Sequence, residues 1–109
     1  AYQRLTAAEL KQEGPLLTAA SAALQGLTVE SAETVTKEDG KISLRLECRQ
    51  EEETVWIQTL PLTGSMEAEA LLPAEQYLHH QIDVKGMVKC GEEGAYLLVF
   101  QPEGLTLHP

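Results

Sequence analysis

Between Lys41 and Arg49 apolar and polar residues alternate strictly, with Ile42, Leu44, Leu46 and Cys48 on one side and Lys41, Ser43, Arg45, Glu47 and Arg49 on the other. A repeat of two is the mark of a strand with one face toward a core and one toward water. The repeat returns later, where Ile82, Val84, Gly86, Val88 and Cys90 oppose Asp83, Lys85, Met87 and Lys89. Gly91-Glu92-Glu93-Gly94 then supplies a tight reversal into Ala95-Tyr96-Leu97-Leu98-Val99-Phe100. That run is apolar on both sides, which predicts a central strand covered on both faces, with Tyr77, Tyr96 and Phe100 filling the junction and the sheet core.

Two more strands complete the pattern. Thr54 to Leu60 is β-branched and apolar, and Pro61 ends it because proline cannot donate the next ladder bond. Leu27 to Thr36 keeps Leu27, Val29 and Val35 at two-residue spacing, with Ser31 and Glu33 interrupting the apolar face. Asp39-Gly40 between it and Lys41 suits a hairpin turn. Leu105-Thr106-Leu107 can extend the sheet or form a short terminal strand.

Helical signals lie at the start and in the middle. Thr6 with Glu9 three positions later forms a capping box, and Gly14-Pro15 interrupts the helix it opens. The alanines Ala19, Ala20, Ala22 and Ala23 with Leu17 and Leu24 predict a second helix over 16–25, ended by Gly26. Ser65 can cap a helix running from Met66 toward Leu78, with a fresh turn at Pro73.

At 109 residues the chain has room for one compact domain, and 43% hydrophobic residues separate it from a disordered tail. Seventeen acidic residues against eight Lys or Arg give a formal charge of −9. Such a field repels phosphate and disfavours indiscriminate binding to nucleic acid, although it leaves room for a local basic groove. No apolar run is long enough to span a bilayer as a helix, so the chain reads as soluble. Its start at Ala1 fits either a processed, exported protein or a domain cut from a longer one.

Candidate chemistry is sparse. Cys48 and Cys90 each end a strand and fit either two separate buried thiols or one disulfide. His79 and His80 are adjacent, which places their rings in different directions and makes no metal set with His108. Glu67, Glu69 and Glu75 solvate the middle helix, and Met66 and Met87 fill gaps. No phosphate-cradling loop, dinucleotide fingerprint, zinc-protease pattern or serine elbow occurs, so the chain is read as non-enzymatic and without a cofactor.

The order of three strands, a helix and two strands resembles the oligonucleotide/oligosaccharide-binding fold, or OB-fold, a small five-stranded barrel with a helix between strands three and four. Ile82-Asp83-Val84-Lys85-Gly86-Met87-Val88 resembles its fourth strand and Tyr96-Leu97-Leu98-Val99-Phe100 its fifth. Gly86 can relieve crowding where such a barrel bends. The resemblance implies a mainly β domain over 27–109 with a helical extension over 1–26, while a β-sandwich fragment and an α+β sheet stay open. Two functions follow. The first is an interaction or accessory module for a protein partner, docking through an exposed strand face, with apolar burial at Trp56 and charges at Arg45 or Arg49, or through the N-terminal helical extension. The second is binding of single-stranded nucleic acid, with Trp56 stacking on a base and Lys41, Arg45 and Arg49 facing phosphate. The acidic balance favours the first.

Overall fold

The computed structural model describes residues 2–36, 38–60 and 73–108. Among these residues the order is β1 (Gln3–Arg4), α1 (Ala7–Glu13), β2 (Ser21–Thr36), β3 (Ile42–Gln50), β4 (Glu53–Thr59), β5 (Gln81–Gly91), β6 (Gly94–Val99) and β7 (Leu105–His108). Short 3-10 turns lie at Gly14–Leu16, Ala74–Gln76 and Pro102–Gly104.

Strand β2 is 16 residues long because it serves two neighbours. Its first half, from Ser21 to Thr28, pairs antiparallel with β5, and its second half, from Thr28 to Thr36, pairs antiparallel with β3. With β3 on β4, β4 parallel to β6, and β6 on β5, the ring β2-β3-β4-β6-β5 closes on itself. Closure removes the exposed edges that a flat sheet would present. Strands β1 and β7 lie outside the ring, on β2 and β5 respectively.

The alternations that predict β3 and β5 hold except at Ser43, expected outward and found buried, and at Cys90, expected inward and found exposed. Leu44, Leu46 and Cys48 face the core from β3, and Ile82, Val84 and Val88 face it from β5. They meet Leu24, Leu27, Val29, Val55, Ile57, Leu97 and Val99 in one cluster. The helix expected over 16–25 is instead the start of β2. Alanine's advantage in a helix is at most about 0.7 kcal/mol per residue over ordinary residues, which strand pairing and burial outweigh here. Ala22 and Leu24 are buried, and Ala22 stands opposite Gly86, where small residues let two strands approach closely.

Two bulges bend β2 around the barrel. The first falls between Leu24 and Leu27, where Gly26 takes φ +67° and donates its N–H to Asp83 Oδ1 at 2.9 Å. The second falls between Val29 and Ser31 and shifts the alternation by one residue. Ala32 then sits opposite Leu46, and Val35 opposite Ser43, so Val35 does not share the inward face of Leu27 and Val29 as its spacing suggests.

Helix α1 covers one end of the barrel with Ala7 and Leu10. Its capping box forms as predicted: Glu9 N–H donates to Thr6 Oγ1 at 3.1 Å, and Thr6 N–H donates to Glu9 Oε1 at 2.9 Å. Gln50, at the end of β3, ties the helix to the first bulge. Its Oε1 accepts from Ala7 N–H at 2.8 Å, and its Nε2 donates to the Gln25 carbonyl at 2.8 Å. Tyr77 and Ala74 are buried in the segment leading into β5, and the described part of the middle helix is the 3-10 turn at Ala74–Gln76. The stretch from Met66 to Leu72 lies outside the described residues.

Strand β7 is pinned where His108 Nε2 lies 2.7 Å from Asp83 Oδ2. Partial desolvation opposes ionisation of Asp83, but the Gly26 N–H and the His108 ring outweigh it and hold the carboxyl below its usual range. An Asp with a lowered folded value stabilises the fold above its unfolded value, about 3.9, and loses that contribution as pH falls through the folded value. Both side chains are part-exposed, so Asp83→Asn should cost about 0.5–1 kcal/mol at neutral pH. Urea unfolding of the two proteins should show that gap shrinking below about pH 4; a gap that stays constant into acid would refute this role.

Candidate functional site

The strand register lays two rows of side chains across the outer face of the barrel. Glu47 on β3 stands opposite Trp56 on β4, Trp56 opposite Tyr96 on β6, and Tyr96 opposite Lys89 on β5. In the next row Glu33, Arg45, Gln58, Leu98 and Met87 follow one another across β2, β3, β4, β6 and β5. Two aromatic rings are thus neighbours on one face, although they come from strands far apart in the chain.

Arg45 lies over Trp56, with its guanidinium carbon 4.2 Å from the ring centroid. That is cation–π distance, and the planar guanidinium suits it. The same group is bracketed by carboxylates: Nη2 is 3.0 Å from Glu93 Oε2 and Nη1 is 3.8 Å from Glu33 Oε1. Glu93 arrives from the reversal between β5 and β6, where Gly91 pairs with Gly94 and Gly94 adopts φ +105°. The reversal overhangs the outer face and forms a cleft of about 360 Å³ with Arg45, Trp56, Gln58 and Tyr96. This volume is at the lower end of the range for small-molecule clefts.

Of the four residues singled out in the sequence, Trp56 and Arg45 meet in this cleft. Lys41 and Arg49 do not line it. Lys41 pairs with Asp39 at 3.8 Å, and Arg49 with Glu30 at 3.3 Å. Tyr96, Gln58, Glu92 and Glu93 are the polar lining residues that the pattern did not single out as a site. Tyr96 was concealed in an apolar run that predicts a strand covered on both sides. In β6 only Leu97 and Val99 are buried, and Tyr96 and Leu98 are half-buried on the outer face. A phenol among aliphatic residues was the available signal, because tyrosine carries a polar tip that favours a wet boundary.

Both cysteines are free thiols, so no bridge joins them. Cys48 is buried, and desolvation, with the Glu47 and Glu30 charges adding to it, pushes its thiol up to about 12. It therefore stays protonated and acts as a small apolar residue. Cys90 is exposed, with its Sγ 3.3 Å from Thr18 Oγ1. His79 and His80 are exposed, and among the described residues no group of three or more His, Cys, Asp or Glu side chains can hold a metal ion. No helix among the described residues is long and apolar enough to cross a membrane.

No family model and no curated protein sequence matches the chain. Solved structures do. An aspartyl-tRNA synthetase, described as putative, from Leishmania major Friedlin aligns over 98% of this chain at 14% identity and TM-score 0.60, with this chain spanning 21% of the synthetase. The SSB domain of a Synechococcus protein aligns over 79% of this chain and 92% of its own, at 13% identity and TM-score 0.56. The second OB-fold domain of replication protein A from Methanococcus maripaludis aligns over 86% and 89%, at 13% identity and TM-score 0.52. The barrel is an OB-fold.

The β-sandwich and α+β alternatives are thereby set aside. The OB-fold likenesses also correct the expectation that a charge of −9 disfavours nucleic acid, since an SSB domain and a replication protein A domain share this barrel. The physical reason is range. At about 0.1 M salt the field of exposed charges is screened beyond about 10 Å, so the total charge does not by itself decide binding at one face.

Proposed function

We propose that this non-catalytic OB-fold module binds single-stranded nucleic acid across the outer face of β3, β4 and β6. One observation carries the reading: Trp56 and Tyr96 are neighbours on that face, with Arg45 stacked on Trp56 beneath the β5–β6 reversal. In OB-folds this face, with the loops joining strands one to two and four to five, is where oligonucleotides lie. Of the two functions left open by the sequence, this arrangement favours nucleic acid over protein docking, and the likeness to the SSB and replication protein A domains supports the same choice.

Binding on this face works through exchange. A base stacks against the aromatic pair, gaining about 1–3 kcal/mol whichever base it is. The adjoining phosphate takes the place of Glu33, 3.8 Å away, on Arg45 Nη1, while Nη2 stays on Glu93. Since Arg45 is already paired in the free protein, the net electrostatic gain is small and affinity rests chiefly on stacking.

A labelled single strand of about 15 nucleotides, followed by anisotropy, tests this. Saturable binding is expected, with a shallow salt dependence equivalent to about one or two phosphates. Arg45→Ala should reduce that slope by about one. Absence of binding at low salt, or a slope unchanged in the variant, would overturn the reading.

A further inference from the structure

The polar groups around the cleft are unequal in what they can offer a base. Arg45, its strongest donor, is committed: Nη2 to Glu93, Nη1 toward Glu33, and its flat face to Trp56. The reversal that overhangs the rings contributes the Glu92 and Glu93 side chains. An ionised carboxylate only accepts hydrogen bonds, and it has about four lone-pair sites. Arg45 Nη2 takes one of these on Glu93 Oε2 and so holds the carboxylate beside the aromatic pair.

A base stacked on Trp56 and Tyr96 turns an edge toward that reversal. An edge rich in acceptors meets like partial charge there, whereas an edge with donors forms charge-assisted bonds. The four bases differ sharply in this respect. Guanine presents two adjacent donors on its Watson–Crick edge, N1–H and the 2-amino group, which match the two oxygens of one carboxylate. Thymine presents one N–H flanked by two carbonyl oxygens. Adenine and cytosine each present an amino group next to an acceptor nitrogen. Resting on the single-strand reading, we infer that Glu93 makes this cleft selective for guanine, its carboxylate accepting from N1–H and the 2-amino group while the base stacks on Trp56 and Tyr96. The acidity at the rim then has a use in recognition, because it penalises bases that cannot donate to it.

The test uses thymidine tracts of about ten nucleotides whose central position is deoxyguanosine, deoxyinosine or thymidine. Trp56 is the only tryptophan in the chain, so its fluorescence reports on the cleft. The guanosine tract should bind about tenfold more tightly than the all-thymidine tract, with inosine, which lacks the 2-amino group, between them. Glu93→Gln should bring the guanosine-to-thymidine ratio near one while leaving binding of the thymidine tract equal or tighter. Glu93 is exposed at a turn, so the melting temperature should hold. Equal binding of the three tracts, or a ratio that survives Glu93→Gln, would defeat the selectivity and leave single-strand binding standing. No fluorescence change with any tract would defeat both.

Discussion

Replacing Gly86 by alanine is expected to cost about 3 kcal/mol of stability, the upper part of the range for overpacking. A Cβ at this position would stand 2.2 Å from the Leu98 carbonyl oxygen and 2.8 Å from its carbon, with Val99 Cα at 3.2 Å. All three are backbone atoms of the next strand, so no rotamer change can make room. Relief requires β5 and β6 to part where Met87 pairs with Leu98, which breaks the ladder that closes the barrel. For a domain of this size the melting temperature should fall by roughly 10–20 °C, read by circular dichroism. A loss under about 1 kcal/mol would mean that the strands have slack here, and that Gly86 is not what sets their approach.

Trp56→Ala is expected to weaken binding of a single strand by about 10–100-fold, the equivalent of one lost base stack. The fold should survive the change. Val55 and Ile57 carry the inward packing of β4, while Trp56 is half-buried on the other face. Trp56→Phe should recover part of the affinity because it keeps a ring for the base and for Arg45. Anisotropy of a labelled strand separates the outcomes without relying on the tryptophan signal. If Trp56→Ala binds as the parent does, the outer face of β3 and β4 is not the contact surface.

Much of the barrel was legible because its strands are amphipathic over many residues. The alternations of Lys41 to Arg49 and Ile82 to Cys90 declared both the strands and, Ser43 and Cys90 aside, their inward faces, and Gly91 to Gly94 declared the turn between β5 and β6. The capping box at Thr6 and Glu9 was equally local. Gly86 could be assigned to a crowded bend on the absence of a side chain within an apolar face. The first half of β2 was not legible. Alanine suits a helix when considered alone, and the reason for a strand at Ala22 lies in Gly86 across the ladder.

The cleft divides in the same way. That Trp56 and Arg45 leave the core on adjacent strands follows from period two and one short loop, both written in the local sequence. That Tyr96 stands beside Trp56 follows from the parallel pairing of β4 with β6, two strands not consecutive in the chain. The approach of Glu93 to Arg45 depends on that same pairing, which brings the β5–β6 turn over β3. The sequence by itself therefore determined that side chains such as Arg45 and Trp56 face outward, since that depends on alternation within a strand. Only the tertiary structure decided which of them meet, because closing the barrel sets neighbours by register between distant segments, and no local repeat encodes it.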